Sequence, residues 1–166
     1  MKIKLKGACM VANVLNSNGR LYPTEALESA HQTIQTYKSY GSYLLGEPFT
    51  CEHLDVNIKN VSHKILDSYI EDDILYIETE LLDTNSGRNI QSLISSGCNI
   101  YFSPRGSGNV TNDNVVDDYE LSSIDIHTES SFNVMPCEII KEHIEMDNNI
   151  EYNESMKKII DNLVEN

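Results

Sequence analysis

Tryptophan is absent from this 166-residue chain, and glycine and proline are sparse, at eight and four residues. Collagen-like and Pro/Gly-rich low-complexity architectures are therefore excluded. Basic residues are few as well: 12 Lys+Arg stand against 26 Asp+Glu, for a net charge of −14. So acidic a surface repels phosphate backbones, and no local basic patch interrupts it, which argues against nucleic acid as a partner. No apolar run approaches the ~18 residues of a membrane-spanning helix, so no membrane is expected either. The opening Met1-Lys-Ile-Lys-Leu-Lys-Gly7 has no apolar stretch of the kind a secretory signal carries. Cys9, Cys51, Cys98 and Cys137 are scattered without a C-x-x-C pair. They are expected to be reduced thiols in a cytosolic compartment. A zinc site would have to combine Cys51 and His53 with distant residues such as His63 and Cys98. That spacing fits no structural zinc pattern, and neither a metal nor a cofactor is expected.

What is present is globular composition, 40% hydrophobic and 23% charged, in a length suited to one domain with a tail. Residues 2–15 alternate with Ile3, Leu5, Cys9 and Val11 on one side, which predicts an opening strand or hairpin running into the turn Asn16-Ser-Asn-Gly19. Thr24 is a suitable N-cap, and Ala26, Leu27, Ala30, Ile34 and Tyr37 recur at helical spacing, predicting a helix to about Ser39. Val61–Ile65 and Ile74–Leu82 are β-like and flank Glu71-Asp-Asp73, a hairpin turn. Ser86-Gly87 opens a short helix that Gly97 closes. A strand from Asn99 to Ser103 should then end abruptly in a Gly-rich turn, Pro104-Arg-Gly-Ser-Gly108, with a strand pair over 115–126 beyond it. From Cys137 onward the pattern becomes helical and acidic, so the division is a globular unit over 1–136 and a C-terminal tail over 137–166. The class is α+β with mostly antiparallel strands.

Segment 97–108 stands out chemically. A strand delivers Ser103 to a glycine-rich stretch, with a lone Arg105 two residues on. A nucleophilic serine needs a base for its proton and donors for the developing oxyanion. Amides near Gly106, assisted by Arg105, are one source of such donors; a plain β-turn is the competing reading. Histidine is the natural base. His53 lies in the polar, turn-rich Thr50-Cys-Glu-His-Leu-Asp55, whereas His63 sits within a strand pattern. Asp125 and His127 follow downstream, and spacing alone does not choose among these partners.

Five blocks in order resemble the prohead maturation proteases of tailed bacteriophages, a family similar in fold to the herpesvirus assembly proteases. Asn16-Ser-Asn-Gly-Arg-Leu-Tyr-Pro23 is similar to the family's N-x-N-x-R-x-Y-P, and Leu45-Gly-Glu47 to the start of its histidine segment. Val61–Ile65 resembles the strand after it, and Leu121-Ser-Ser-Ile-Asp125 a later strand. Gly97–Gly108 resembles G-x-x-x-G-V-S-S-R-G-x-G, which places the nucleophile at Ser103 and the arginine at Arg105, with Pro104 where the family has a second serine. Aligned without a gap, the family histidine falls on Thr50; His53 takes that role if the loop is longer before it and shorter after it.

The resemblance implies a barrel-like antiparallel core with flanking helices, like that of the herpesvirus enzymes. It also implies a serine endopeptidase acting within an assembling procapsid in the host cytoplasm. Ser103 would be the nucleophile and His53 the base. Asp125 would be the favoured third member, orienting His53, with His63 or His127 as alternatives, and Arg105 with Gly106 the oxyanion donors. Scaffold and major capsid proteins would be the substrates, cut after Glu. Sites such as Ile150-Glu151 in the tail offer self-cleavage, and oligomeric state, a homo-oligomer included, stays open. A catalytically inactive relative serving as a procapsid scaffold is the alternative; whether His53 reaches Ser103 separates the two. An acidic module that binds a host protein is a third class, marked by acids gathered on one ordered face.

Overall fold

Alternating side chains make Lys4–Val11 the first strand, β1, with Leu5, Cys9 and Met10 turned into the core. The computed structural model describes residues 2–50 and 52–140. After the Asn16–Gly19 turn, helix α1 spans Thr24–Ser39 and buries Ala26, Leu27, Ala30 and Ile34 as the periodicity predicts. Pro23, not Thr24, takes the N-cap place, and Thr24 is the first helical residue. Strand β2 is only Leu45–Gly46. Strands β3 (His63–Glu71) and β4 (Ile74–Leu81) form the expected hairpin. Its turn residues Asp72 and Asp73 both take positive φ, the left-handed geometry that matches strand twist in a tight hairpin. Helix α2 spans Asn85–Ser95, capped by the Thr84 side chain, which accepts from the Gly87 N–H at 3.0 Å. Gly97, at φ 82°, closes it.

The Gly-rich segment differs from expectation. It does not turn: β5 runs from Tyr101 straight through to Val110, paired with the single long strand β6, Val116–His127. Its glycines serve close backbone approach. A Cβ at Gly106 would overlap the Glu120 carbonyl and crowd the Tyr119 ring, and one at Gly108 would come within 2.9 Å of the Asp117 carbonyl. Pro104 is tolerated because, among the described residues, β5 pairs only with β6, so its missing N–H breaks no second ladder.

The strands form a five-stranded antiparallel sheet in the order β2-β3-β4-β1-β7, where β7 is Glu138–Ile140, and the two-stranded β5-β6 pair. Among the described residues they make no closed barrel. The chain after β2 links the sheets, since Pro48 bridges Ile126 in parallel and the Phe49 N–H donates to the Ile126 carbonyl at 2.9 Å. On the far side the Cys137 N–H donates to the Ile100 carbonyl at 2.8 Å. One apolar core joins both sheets and α1. A boundary at 136/137 therefore cuts into structured chain: Cys137 and β7 are bonded into the sheets, because a strand edge beside β1 offers them a ladder that the local helical pattern does not reveal. The rest of the expected tail, 141–166, with its Ile150-Glu151 site, lies outside the described residues.

Candidate active site

The β5–β6 register puts Ser103 opposite Asp125, Tyr101 opposite His127 and Arg105 opposite Ser123. Directly paired residues, and residues two apart on one strand, share a face. Tyr101, Ser103, Arg105, Asp125 and His127 are thereby gathered on one side of the hairpin. The chain leaving β2 covers that side. Gly46 allows the approach: a Cβ there would overlap both the His63 ring and the Ile124 carbonyl. The Ile126 N–H then donates to the Glu47 carbonyl at 3.2 Å, which seats Glu47 beside Asp125.

Arg105 is where the structure departs most from the sequence reading. Its guanidinium is buried and grips Asp125 bidentately, Nε to Oδ2 at 2.9 Å and Nη2 to Oδ1 at 2.6 Å. Nη1 lies 2.7 Å from Glu47 Oε1 and donates to the Asp55 carbonyl at 3.3 Å, with the Leu54 carbonyl at 3.5 Å. A side chain so engaged is no free oxyanion donor; a charge carried on a strand that faces inward is drawn to the two buried carboxylates beside it. Burial alone would lower the Arg105 pKa, but Asp125 and Glu47 outweigh it and raise it. Gly106, expected in a donor turn, instead lies within β5 against Glu120 and Tyr119.

Asp125 turns both carboxylate oxygens to Arg105, so the structure does not pair it with His53. Burial pushes its pKa up to about 6; Arg105 opposes the rise, while the neighbouring Glu47 charge adds to it. His63 is wholly buried, and its Nε2 donates to the Ile124 carbonyl at 2.8 Å. Its Nδ1 then accepts from the Ser62 hydroxyl at 2.8 Å. Burial lowers its pKa to about 4; the Ile124 carbonyl resists this and the Arg105 charge adds to it. With both nitrogens occupied, His63 is a neutral fastener of β3 to β6. At His127, Nδ1 accepts from the Glu129 N–H at 2.8 Å, and the ring lies 4.2 Å from that of Phe49. Its neutral form therefore carries the proton on Nε2.

His53 is partly exposed in the loop that Arg105 holds down. Its Nδ1 lies 2.5 Å from the Asp55 carbonyl, which only accepts, so Nδ1 carries the proton and Nε2 keeps its lone pair. Nδ1 is also 3.5 Å from Glu47 Oε1. Thr50, the ungapped histidine position, instead accepts from the Glu52 N–H at 3.2 Å in the same loop. The residue missed in the sequence is Glu47. Its signal was present: an acid inside the apolar stretch Tyr43-Leu-Leu-Gly-Glu-Pro-Phe49, next to a glycine, which turn chemistry alone accounts for. The two arms of the site come from Ser103 on β5 and from a loop whose backbone just after His53, at Leu54 and Asp55, accepts from the arginine two residues beyond Ser103.

The computed model resembles the structure of the bacteriophage T4 capsid assembly protease, gp21, with a TM-score of 0.68 at 22% identity. The match covers 75% of this chain and 80% of that one and marks a shared fold. No curated protein matches the sequence significantly. The family model of the prohead core protein serine protease matches residues 1–129, which takes in every site residue discussed above. The chain belongs to the prohead core serine protease family.

Proposed function

We propose that Ser103 and His53 form the catalytic pair of this serine protease, and that it cleaves scaffold and capsid proteins inside the assembling capsid in the host cytoplasm. The observation that carries the reading is the tautomer of His53. Nδ1–H is directed at the Asp55 carbonyl, 2.5 Å away, which leaves Nε2 as the basic nitrogen. His53 Nε2 would take the proton as Ser103 Oγ adds to the scissile carbonyl carbon, then return it to the leaving amine as the C–N bond breaks. Water then repeats the sequence on the acyl-serine: His53 takes one of its protons, the hydroxyl adds, and Ser103 leaves reprotonated. Among the described residues Ser103 Oγ and the His53 ring share no hydrogen bond, and catalytic hydrogen bonds often tighten only in the substrate complex.

Kinship with the herpesvirus assembly proteases is part of the same proposal. The bridges at Pro48–Ile126 and at Cys137–Ile100, which join the two sheets along both flanks, support it. The inactive-scaffold alternative gives no reason for a histidine whose Nδ1–H is held by a carbonyl so that Nε2 is the basic nitrogen. The test is co-expression of the full chain with its cognate scaffold and major capsid proteins, followed by mass spectrometry of the products. Ser103→Ala and His53→Ala should each abolish cleavage, and undiminished processing by either would remove that residue from the pair.

A further inference from the structure

The same site raises the question of what orients His53, and the geometry departs from the aspartate that the sequence favours. We propose that Glu47 is the positioning residue for His53, and that Arg105 and Asp125 form the ion pair that holds Glu47 in place. The inference rests on the Ser103–His53 reading above and names the third member of that site.

Three observations carry it. First, Glu47 is fully buried, yet among the described residues neither carboxylate oxygen receives a well-aligned hydrogen bond. Arg105 Nη1 makes a close ion-pair contact with Oε1 at 2.7 Å, off the hydrogen-bond direction, and among the described residues Oε2 has no hydrogen-bond partner. A buried carboxylate left in this state is costly unless something draws on it. Second, the group that approaches is the right one: His53 Nδ1, which carries the ring proton, is 3.5 Å from Oε1. A small shift of the imidazole toward Glu47 converts that distance into the Nδ1–H···carboxylate bond that holds a catalytic histidine in its working tautomer. Third, the charges balance only during catalysis. Arg105 carries one positive charge and satisfies Asp125 bidentately, which leaves one negative charge uncompensated on Glu47. The imidazolium that forms when His53 accepts the serine proton would neutralise it.

The charged groups of this region are Glu47 from the segment after β2, which meets the imidazole, Arg105 from β5 on Glu47, Asp125 from β6 on Arg105, and Glu52 and Asp55 in the loop's own sequence. Glu47 is the carboxylate brought to Nδ1, since Asp55 presents its backbone carbonyl and Asp125 faces the guanidinium.

The experiment compares Glu47→Gln and Asp125→Asn in the full chain, with cleavage of the cognate scaffold protein followed across pH 5–9. Glu47→Gln keeps the side-chain shape and removes the charge. It should lower kcat by on the order of a hundredfold or more, with KM little changed. It should also move the acidic limb of the rate profile to lower pH, because the imidazolium loses its neighbouring anion. Glu47→Asp should recover part of kcat. Asp125→Asn, which loosens the ion pair behind Glu47 and leaves its charge in place, should move the acidic limb the same way but by less than Glu47→Gln.

A second measurement does not depend on turnover: the NMR titration of the His53 ring in Ser103→Ala and in Ser103→Ala/Glu47→Gln. Its midpoint should fall in the double variant. Should Glu47→Gln not fold, Ser103→Ala/Glu47→Asp, which draws the carboxylate back from Nδ1, should shift the midpoint the same way by less. A titration indifferent to Glu47, or one that moves with Asp125→Asn instead, overturns the assignment. If Ser103→Ala or His53→Ala leaves cleavage intact, the catalytic reading fails, and the His53 titration still reports separately on whether Glu47 governs the ring.

Discussion

His63 is a buried histidine that the folded chain protonates only well below the ordinary imidazole range, and this has a measurable acid cost. The perturbation is His63→Gln, whose amide N–H replaces the Nε2 donor toward the Ile124 carbonyl and never charges. The unfolded chain binds a proton at this histidine as pH falls through 6.5, but the folded chain does so only near 4. Between those values the unfolded state holds more protons, so stability due to His63 is fully present above 6.5 and lost as pH falls. At about 1.4 kcal/mol for each pH unit of the interval, the loss by pH 4 is about 3 kcal/mol. The assay is equilibrium urea unfolding of wild type and variant at several pH values from 4 to 7.5, which for a domain of this size yields a cooperative transition. The difference between the two proteins is the readout, because every other titrating group is common to both. At neutral pH the variant should be the less stable, since an amide packs imperfectly where a ring stood; towards pH 4 it should gain on the wild type by about 3 kcal/mol. Parallel profiles would refute the reasoning, since they would mean that His63 is protonated without cost in the folded state.

Asp125 works in the opposite direction: its folded pKa of about 6 lies above its ordinary 3.8, so its contribution is present below 3.8 and lost as pH rises through 6. In the His63→Gln background, unfolding free energy should therefore increase as pH is lowered from 7 towards 5, and a fall would show that Asp125 is not held up by burial. Arg105→Ala leaves Asp125 and Glu47 buried without their counter-charge and should cost about 3–5 kcal/mol in denaturant unfolding. Arg105→Lys should recover only part of this, because an ammonium cannot make the bidentate contact; a loss under 1 kcal/mol in the alanine variant would contradict the buried-pair geometry. Gly46→Ala, whose Cβ would overlap the His63 ring and the Ile124 carbonyl, should displace the segment carrying Glu47 and His53. It is expected to abolish cleavage along with much of the stability, and a folded, active variant would exclude the close approach. Ser103→Ala should unfold at the wild-type midpoint, and a lowered midpoint would assign Ser103 a structural part.

Local patterns determined the helices and the β3–β4 hairpin, because their signals lie within a few residues. The 3.6-residue recurrence of Ala26, Leu27, Ala30 and Ile34, the two aspartates of the 72–73 turn and the Gly97 cap each act on neighbours in the chain. The motif order pointed to Ser103, whereas the ungapped histidine position fell on Thr50 and His53 entered only through a redistributed loop. Tertiary structure decided the rest, since the deciding partners are remote in sequence. Glycine in Pro104–Gly108 reads locally as a turn; only the approach of Glu120 and Tyr119 from β6 makes it a strand with no room for side chains. Arg105 reads as a loop cation until Asp125 and Glu47 arrive from two other segments and take up its donors. Cys137–Ile140 reads as the start of a helical tail until β1 offers it an edge. Glu47 has a local mark that a turn explains equally well, an acid in an apolar stretch; what distinguishes it is burial beside an arginine 58 positions away and a histidine that the loop folds back to meet it. Residue type and spacing set the chemistry available to the chain, while the charge balance inside the site depends on which groups folding removes from water together.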